Sequence, residues 1–191
     1  MTTGDPSTGK LGYGPRLART NAMPVLASPK TMAGLMPSLD FLSPEAVVPF
    51  LRASGKKQVL AELAAHAARL TGLEERVIFE ALLQRERLGS TGIGDGIAIP
   101  HGKLPGLDRL FGLVARLEKP VDFEALDGQP TDILFLLLAP EGAGADHLKA
   151  LARIARAMRE PGVVERIRAA RDADALYAVM ASATPPTPRA A

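Results

Sequence analysis

The sequence predicts an α/β fold, a single sandwich domain built around one sheet. Three observations carry this. Ile133 to Ala139 is a continuous apolar run, the pattern of a strand buried on both faces. Lys56 to Leu70 and Ala145 to Arg159 repeat apolar residues at helical spacing. Strand-like and helix-like segments alternate along the chain, which is the signature of helices layered on a sheet.

Taken in order, Ala46 to Leu51 reads as a short strand, and Pro49 within it cannot donate to a ladder, which places it at a sheet edge. Lys56 to Leu70 puts Leu60, Leu63, Ala67 and Leu70 on one stripe, and Gly72 ends that helix. Leu73 to Arg87 reads as a second helix with Val77, Ala81 and Leu82 facing inward, and Glu74-Glu75 at its start suits the helix dipole. Ile97 to Ile99 and Phe111 to Leu117 read as strands. Ala145 to Arg159 carries Leu148, Leu151, Ala155 and Met158 on its apolar stripe, with Lys149, Arg153 and Arg156 outside it. Two short helices follow, over Gly162 to Ala170 and Ala173 to Ala181. The folded domain therefore runs over 39–182.

Composition narrows the chemistry. The 191 residues include no cysteine, which excludes disulfide scaffolds, thiolate zinc sites and cysteine nucleophiles. Tryptophan is absent and aromatics are only 4%, which argues against base-stacking platforms for nucleic acid. No apolar run approaches the roughly 20 residues needed to span a bilayer, so no membrane insertion is expected. The isoelectric point of 9.1 invites a nucleic-acid reading, but the excess of cations sits in residues 1–38, where Lys10, Arg16, Arg19 and Lys30 face Asp5 alone. The rest of the chain is nearly neutral, so no domain-wide grip on a phosphate backbone is expected. Residues 1–38 hold five Pro and five Gly and read as a flexible extension, with Met32 or Met36 as alternative starts. Organelle targeting stays open for this extension, and a secretory signal is disfavoured because it has no continuous apolar stretch. Residues 183–191, with three Pro, read as a disordered tail.

The segment Gly89 to Lys103 stands apart, with five glycines in fifteen residues. A Walker loop is excluded because Lys103 is followed by Leu104. The dinucleotide fingerprint is excluded because the spacing is G-x-G-x-G and Pro100 prevents a helix from following directly. What remains is a loop entering Ile97-Ala98-Ile99 and delivering His101 on a stiff frame, with Gly102 leaving space beside the ring. Neutral imidazole is a nucleophile that titrates near neutrality. Local chemistry alone leaves His101 open between that role and a satisfied turn histidine. It reads Arg85 as a last-turn cation, His147 as a first-turn surface residue, Asp95 as a turn residue and His66 as structural.

The run Leu83-Gln84-Arg85-Glu86-Arg87-Leu88-Gly89-Ser90-Thr91-Gly92-Ile93-Gly94-Asp95-Gly96-Ile97-Ala98-Ile99-Pro100-His101-Gly102-Lys103 resembles the phosphoacceptor segment of enzyme IIA domains of the bacterial phosphotransferase system. It is most similar to the nitrogen-regulatory branch, and also to the fructose and mannitol branches. The resemblance covers about 39–182 and implies a central mixed sheet with helices on both sides. It implies that His101 accepts a phosphoryl group from an HPr-like phosphocarrier protein, itself charged from phosphoenolpyruvate through enzyme I. Arg85 and His147 match residues beside the phosphoryl group. A guanidinium fork and a helix N-terminus both suit phosphate oxygens. Ser90 and Thr91 are candidate hydroxyl donors to the phosphate, and Lys103 a source of positive potential.

The implied output is regulatory and cytoplasmic, acting on targets such as sensor kinases or potassium transporters, with no cofactor; three His without Cys are a poor transition-metal set, so no metal is expected. Two alternatives compete with it: a fructose- or mannitol-type IIA component that passes phosphate to a separate IIB protein, and an interaction module without phosphotransfer.

Overall fold

The computed structural model describes residues 39–183. The expected extension over 1–38 and the tail beyond Ala183 lie outside them. Ala183 itself, expected in the tail, is buried and bonds back to the Val179 carbonyl at 3.0 Å.

The strands are β1 (Leu42–Leu51), β2 (Gly92–Gly94), β3 (Ile97–Ala98), β4 (His101–Leu104), β5 (Phe111–Val121) and β6 (Thr131–Pro140). The helices are α1 (Lys56–Thr71), α2 (Glu75–Arg87), α3 (Gly144–Met158), α4 (Val163–Ala169) and α5 (Ala173–Ser182). They form one mixed sheet in the order β1-β5-β6-β3-β2, with β4 also on β6. β6 lies between antiparallel β5 on one side and parallel β3 and β4 on the other. All seven residues from Ile133 to Ala139 are fully buried, so both faces of β6 are covered. That burial is what its unbroken apolar run specifies.

β1 is an edge strand that pairs only with β5, as Pro49 requires. It starts four residues earlier than the periodicity indicates, and its register shifts twice. α1 ends at Gly72, whose φ of 75° forms a left-handed cap bonded to the Ala68 carbonyl. α5 begins at Asp172, whose side chain accepts the Ala175 N–H.

The inward faces of three helices differ from the periodicity-based expectation. On α2 the buried stripe is Ile78, Leu82 and Glu86, whereas Val77 is exposed. On α3 it is His147, Ala150, Ile154, Ala157 and Met158, whereas Leu148 is 66% exposed. On α1 Leu70 is exposed. Both α2 and α3 carry apolar residues over a wide arc. Two stripes then satisfy the 3.6 period, and tertiary contact selects one of them. The choice on α3 matters, because it turns His147 inward.

Candidate functional site

β3 and β4 run in succession along the same side of β6. Ile97 and Ala98 pair with Ile133 and Leu134, and His101 pairs with Leu137. Between them Pro100 offers its carbonyl to the Leu137 N–H at 2.9 Å. This break delivers His101 near the C-terminal end of β6. From that end a 3-10 turn over Glu141–Ala143 leads directly into α3. His147 sits in the first turns of α3, so its ring returns to His101 at a centroid distance of 5.4 Å.

Arg85 arrives from the last turn of α2. Its Nε–H donates to Nε2 of His101 at 2.9 Å, and its Nη1–H donates to the Gly89 carbonyl at 3.0 Å. On the other side of the ring, Nδ1 lies 2.8 Å from the Ile99 carbonyl oxygen. A guanidinium can only donate and a carbonyl can only accept. The proton of the neutral ring therefore sits on Nδ1, and Nε2 keeps its lone pair.

His101 is partly exposed, so its ring is not sealed in the core. Burial holds its pKa below the ordinary histidine value. Arg85 acts in the same direction, against the opposing bond to Ile99 and the charge of Glu86. His147 is lowered too, by burial first and then by His101, Lys103 and Arg85. Its Nε2 is buried with no hydrogen-bond partner. Lys103 thus contributes positive potential here, from the exposed side of β4.

The two hydroxyls expected to contact phosphate are engaged elsewhere. Thr91 is buried, and its Oγ1–H donates to Glu86 at 2.6 Å. Ser90 donates to the Phe123 carbonyl at 2.6 Å and accepts from the Gly92 N–H. Both hydroxyls shape the loop, and neither has a free proton for an incoming anion. Gly102 faces α2, where an added Cβ would meet Ala81 at 3.5 Å, an ordinary packing distance.

Asp95 is a turn residue: with φ of 56°, and with Gly96 at 78°, it closes the β2–β3 hairpin. His66 accepts from Arg69 on α1. Sequence reasoning missed Glu86, a buried carboxylate that takes the Thr91 N–H and hydroxyl and the Lys56 ammonium. Its position five residues before Thr91, at the foot of a helix, was the available signal. Among the described residues no group of three or more His, Cys, Asp or Glu could hold a metal ion. No helix among them is long and apolar enough to cross a membrane.

Residues 40–183 match the family described as phosphoenolpyruvate-dependent sugar phosphotransferase system, EIIA 2. The chain belongs to this family. Within it, the IIA domain is 62% identical over 146 residues to a nitrogen regulatory protein of Bradyrhizobium diazoefficiens, spanning 76% of this chain and 95% of that one. The crystal structure of nitrogen regulatory protein IIA-Ntr from Neisseria meningitidis superposes with a TM-score of 0.70 at 33% identity, covering 74% of this chain and 97% of that one. The mannitol IIA of Escherichia coli, solved in complex with phosphorylated IIB, shares the fold with a TM-score of 0.62 at 18% identity, over 73% and 96% of the two chains. The chain is thus a phosphotransfer protein of the nitrogen-regulatory type.

Proposed function

We propose that this IIA domain accepts a phosphoryl group on Nε2 of His101 from an HPr-like phosphocarrier and regulates partner proteins in the cytoplasm according to its phosphorylation state. The observation that carries this reading is the Arg85 Nε–His101 Nε2 contact together with the Nδ1–Ile99 carbonyl bond. Between them they leave one ring nitrogen with a lone pair.

In the transfer step the lone pair of Nε2 forms a bond to phosphorus as the P–N bond of the donor phosphohistidine breaks. The electron pair of that broken bond returns to the donor imidazole. The proton on Nδ1 of His101 stays in place and is stabilised by the Ile99 carbonyl. Arg85 shifts its Nε–H from Nε2 to a phosphoryl oxygen. Negative charge spreads over three oxygens in such a transfer, so stabilisation is mainly electrostatic and positional. Arg85, the exposed Lys103 and the N-terminal end of α3 supply positive potential. His147, with an unpaired ring nitrogen, is placed to donate to a phosphoryl oxygen once protonated there. Leu88 and Leu148, next in sequence to site elements and 85% and 66% exposed, supply apolar area for a transient donor complex.

The 62% identity to a nitrogen regulatory protein favours a regulatory output over sugar uptake. Phosphorylation adds about two negative charges at the rim, enough to change which partner surface is complementary. The test mixes the protein with enzyme I, an HPr-type carrier and labelled phosphoenolpyruvate. Label is expected on the wild type and absent from His101→Ala. Label retained by His101→Ala overturns the assignment.

A further inference from the structure

Both ring nitrogens of His101 are tied to the same turn, Gly89 to Thr91. The Nε2 side reaches it through Arg85, whose Nη1–H ends on the Gly89 carbonyl at 3.0 Å. The Nδ1 side reaches it through Ile99, whose carbonyl faces Nδ1 and whose N–H donates to the Thr91 carbonyl at 2.9 Å. The turn is in turn fastened to one side chain. Glu86 accepts the Thr91 N–H at 3.1 and 3.2 Å from its two oxygens and the Thr91 hydroxyl at 2.6 Å. Gly89, with φ of 146°, makes the reversal that brings the turn back over α2.

Glu86 is a buried carboxylate, which is sustainable only with a charge partner. Lys56 supplies it: Nζ lies 3.0 Å from Glu86 and 2.8 Å from Glu124, over the Phe123 ring. Burial works against the ammonium, and the bonds to Glu124 and Glu86 outweigh it, so its pKa lies above the ordinary lysine value. Phe123 also takes the Ser90 hydroxyl through its carbonyl, which gives the turn a second anchor beside the same lysine.

We propose that Glu86, held by Lys56, is a positioning residue that fixes the tautomer and the orientation of His101 through Thr91. Its site of action is the turn and not the phosphoryl group. This inference rests on the phosphoacceptor reading for its consequence in transfer, but the tautomer it sets exists without any donor.

The experiment uses the full chain with nitrogen-15-labelled histidine. Ring-nitrogen shifts report the tautomer, and phosphoryl transfer from the HPr-type carrier is measured in parallel. In the wild type a single Nδ1–H tautomer is expected. Glu86→Gln presents an NH₂ group where either Lys56 or Thr91 must donate, and Thr91→Val deletes the hydroxyl at constant shape. Both are expected to mix the tautomers and to slow transfer about tenfold or more, in kcat rather than in KM. Thr91→Ser keeps the hydroxyl and is expected to retain the wild-type tautomer and rate. If Glu86→Gln fails to fold, the Thr91 pair decides the matter. A wild-type tautomer in Thr91→Val overturns the positioning role, even where stability falls. A wild type that takes no phosphate, with mixed tautomers in the variants, overturns the phosphoacceptor reading and leaves the positioning role standing.

Discussion

Nε of Arg85 stands 2.9 Å from Nε2 of His101, and this donor, with the Ile99 carbonyl at Nδ1, keeps the lone pair of the neutral ring on Nε2. The same guanidinium uses a second nitrogen to grip Gly89, so its approach angle is fixed by two bonds at once.

Arg85→Lys retains the charge and loses the fork. A single ammonium cannot bond Nε2 and the Gly89 carbonyl with the same planar geometry. Phosphoryl acceptance is expected to fall by about 10²-fold, the scale of losing one preorganised donor. Initial rates with a phosphorylated carrier measure it. A rate within twofold of wild type would assign Arg85 a merely electrostatic part.

His147→Ala removes the neighbouring ring while leaving the Arg85–His101 contact in place. Transfer is expected to slow by about tenfold or more, with carrier binding little changed, because the loss falls on the transition state. Single-turnover kinetics separate the two quantities.

The pH dependence follows from the lowered pKa values of His101 and His147. His101 stays neutral below the ordinary value near 6.5, so acceptance is expected to hold as pH falls past 6.5 and to fail only when the folded-state ring protonates. Stability follows the same groups. The unfolded chain binds these protons at higher pH than the folded chain, so stability rises with pH in this window. The contribution is complete above about pH 6.5 and is lost as pH falls toward the depressed values. Thermal unfolding scanned from pH 7 to 5 is expected to show a declining Tm, with a shallower slope in His147→Ala.

Gly96→Ala tests the hairpin that leads to the site. The position has φ of 78°, and an added Cβ would lie 2.5 Å from Arg168 Nη2 and 2.7 Å from Asp132 Oδ1. That pair is bidentate, at 2.7 and 2.8 Å, so the clash displaces an ordered ion pair and adds backbone strain. A loss of about 1–3 kcal/mol in chemical denaturation is expected.

The sequence made some of this legible for physical reasons. The run from Ile133 to Ala139 announced a central strand because burial on both faces leaves no polar position. Pro49 announced an edge because it lacks a donor. β2 and β4 were not legible: Gly92 to Gly94 and His101 to Leu104 have little strand propensity, and their pairing is imposed by β3 and β6. The Asp95-Gly96 pair was the hairpin signal available there. Arg85, His101 and His147 stood out through the resemblance, and the structure brings all three together. Ser90 and Thr91 are candidate phosphate donors by residue type alone, since the sequence does not show what else a hydroxyl bonds. Only the tertiary fold shows Glu86 and the Phe123 carbonyl taking them.

The most direct measurement is nitrogen–phosphorus NMR of the phosphorylated, histidine-labelled protein. One phosphoryl group is expected, coupled to Nε2 of His101, with Nδ1 still protonated. Coupling at Nδ1, or a phosphoryl group on any other residue, would contradict it.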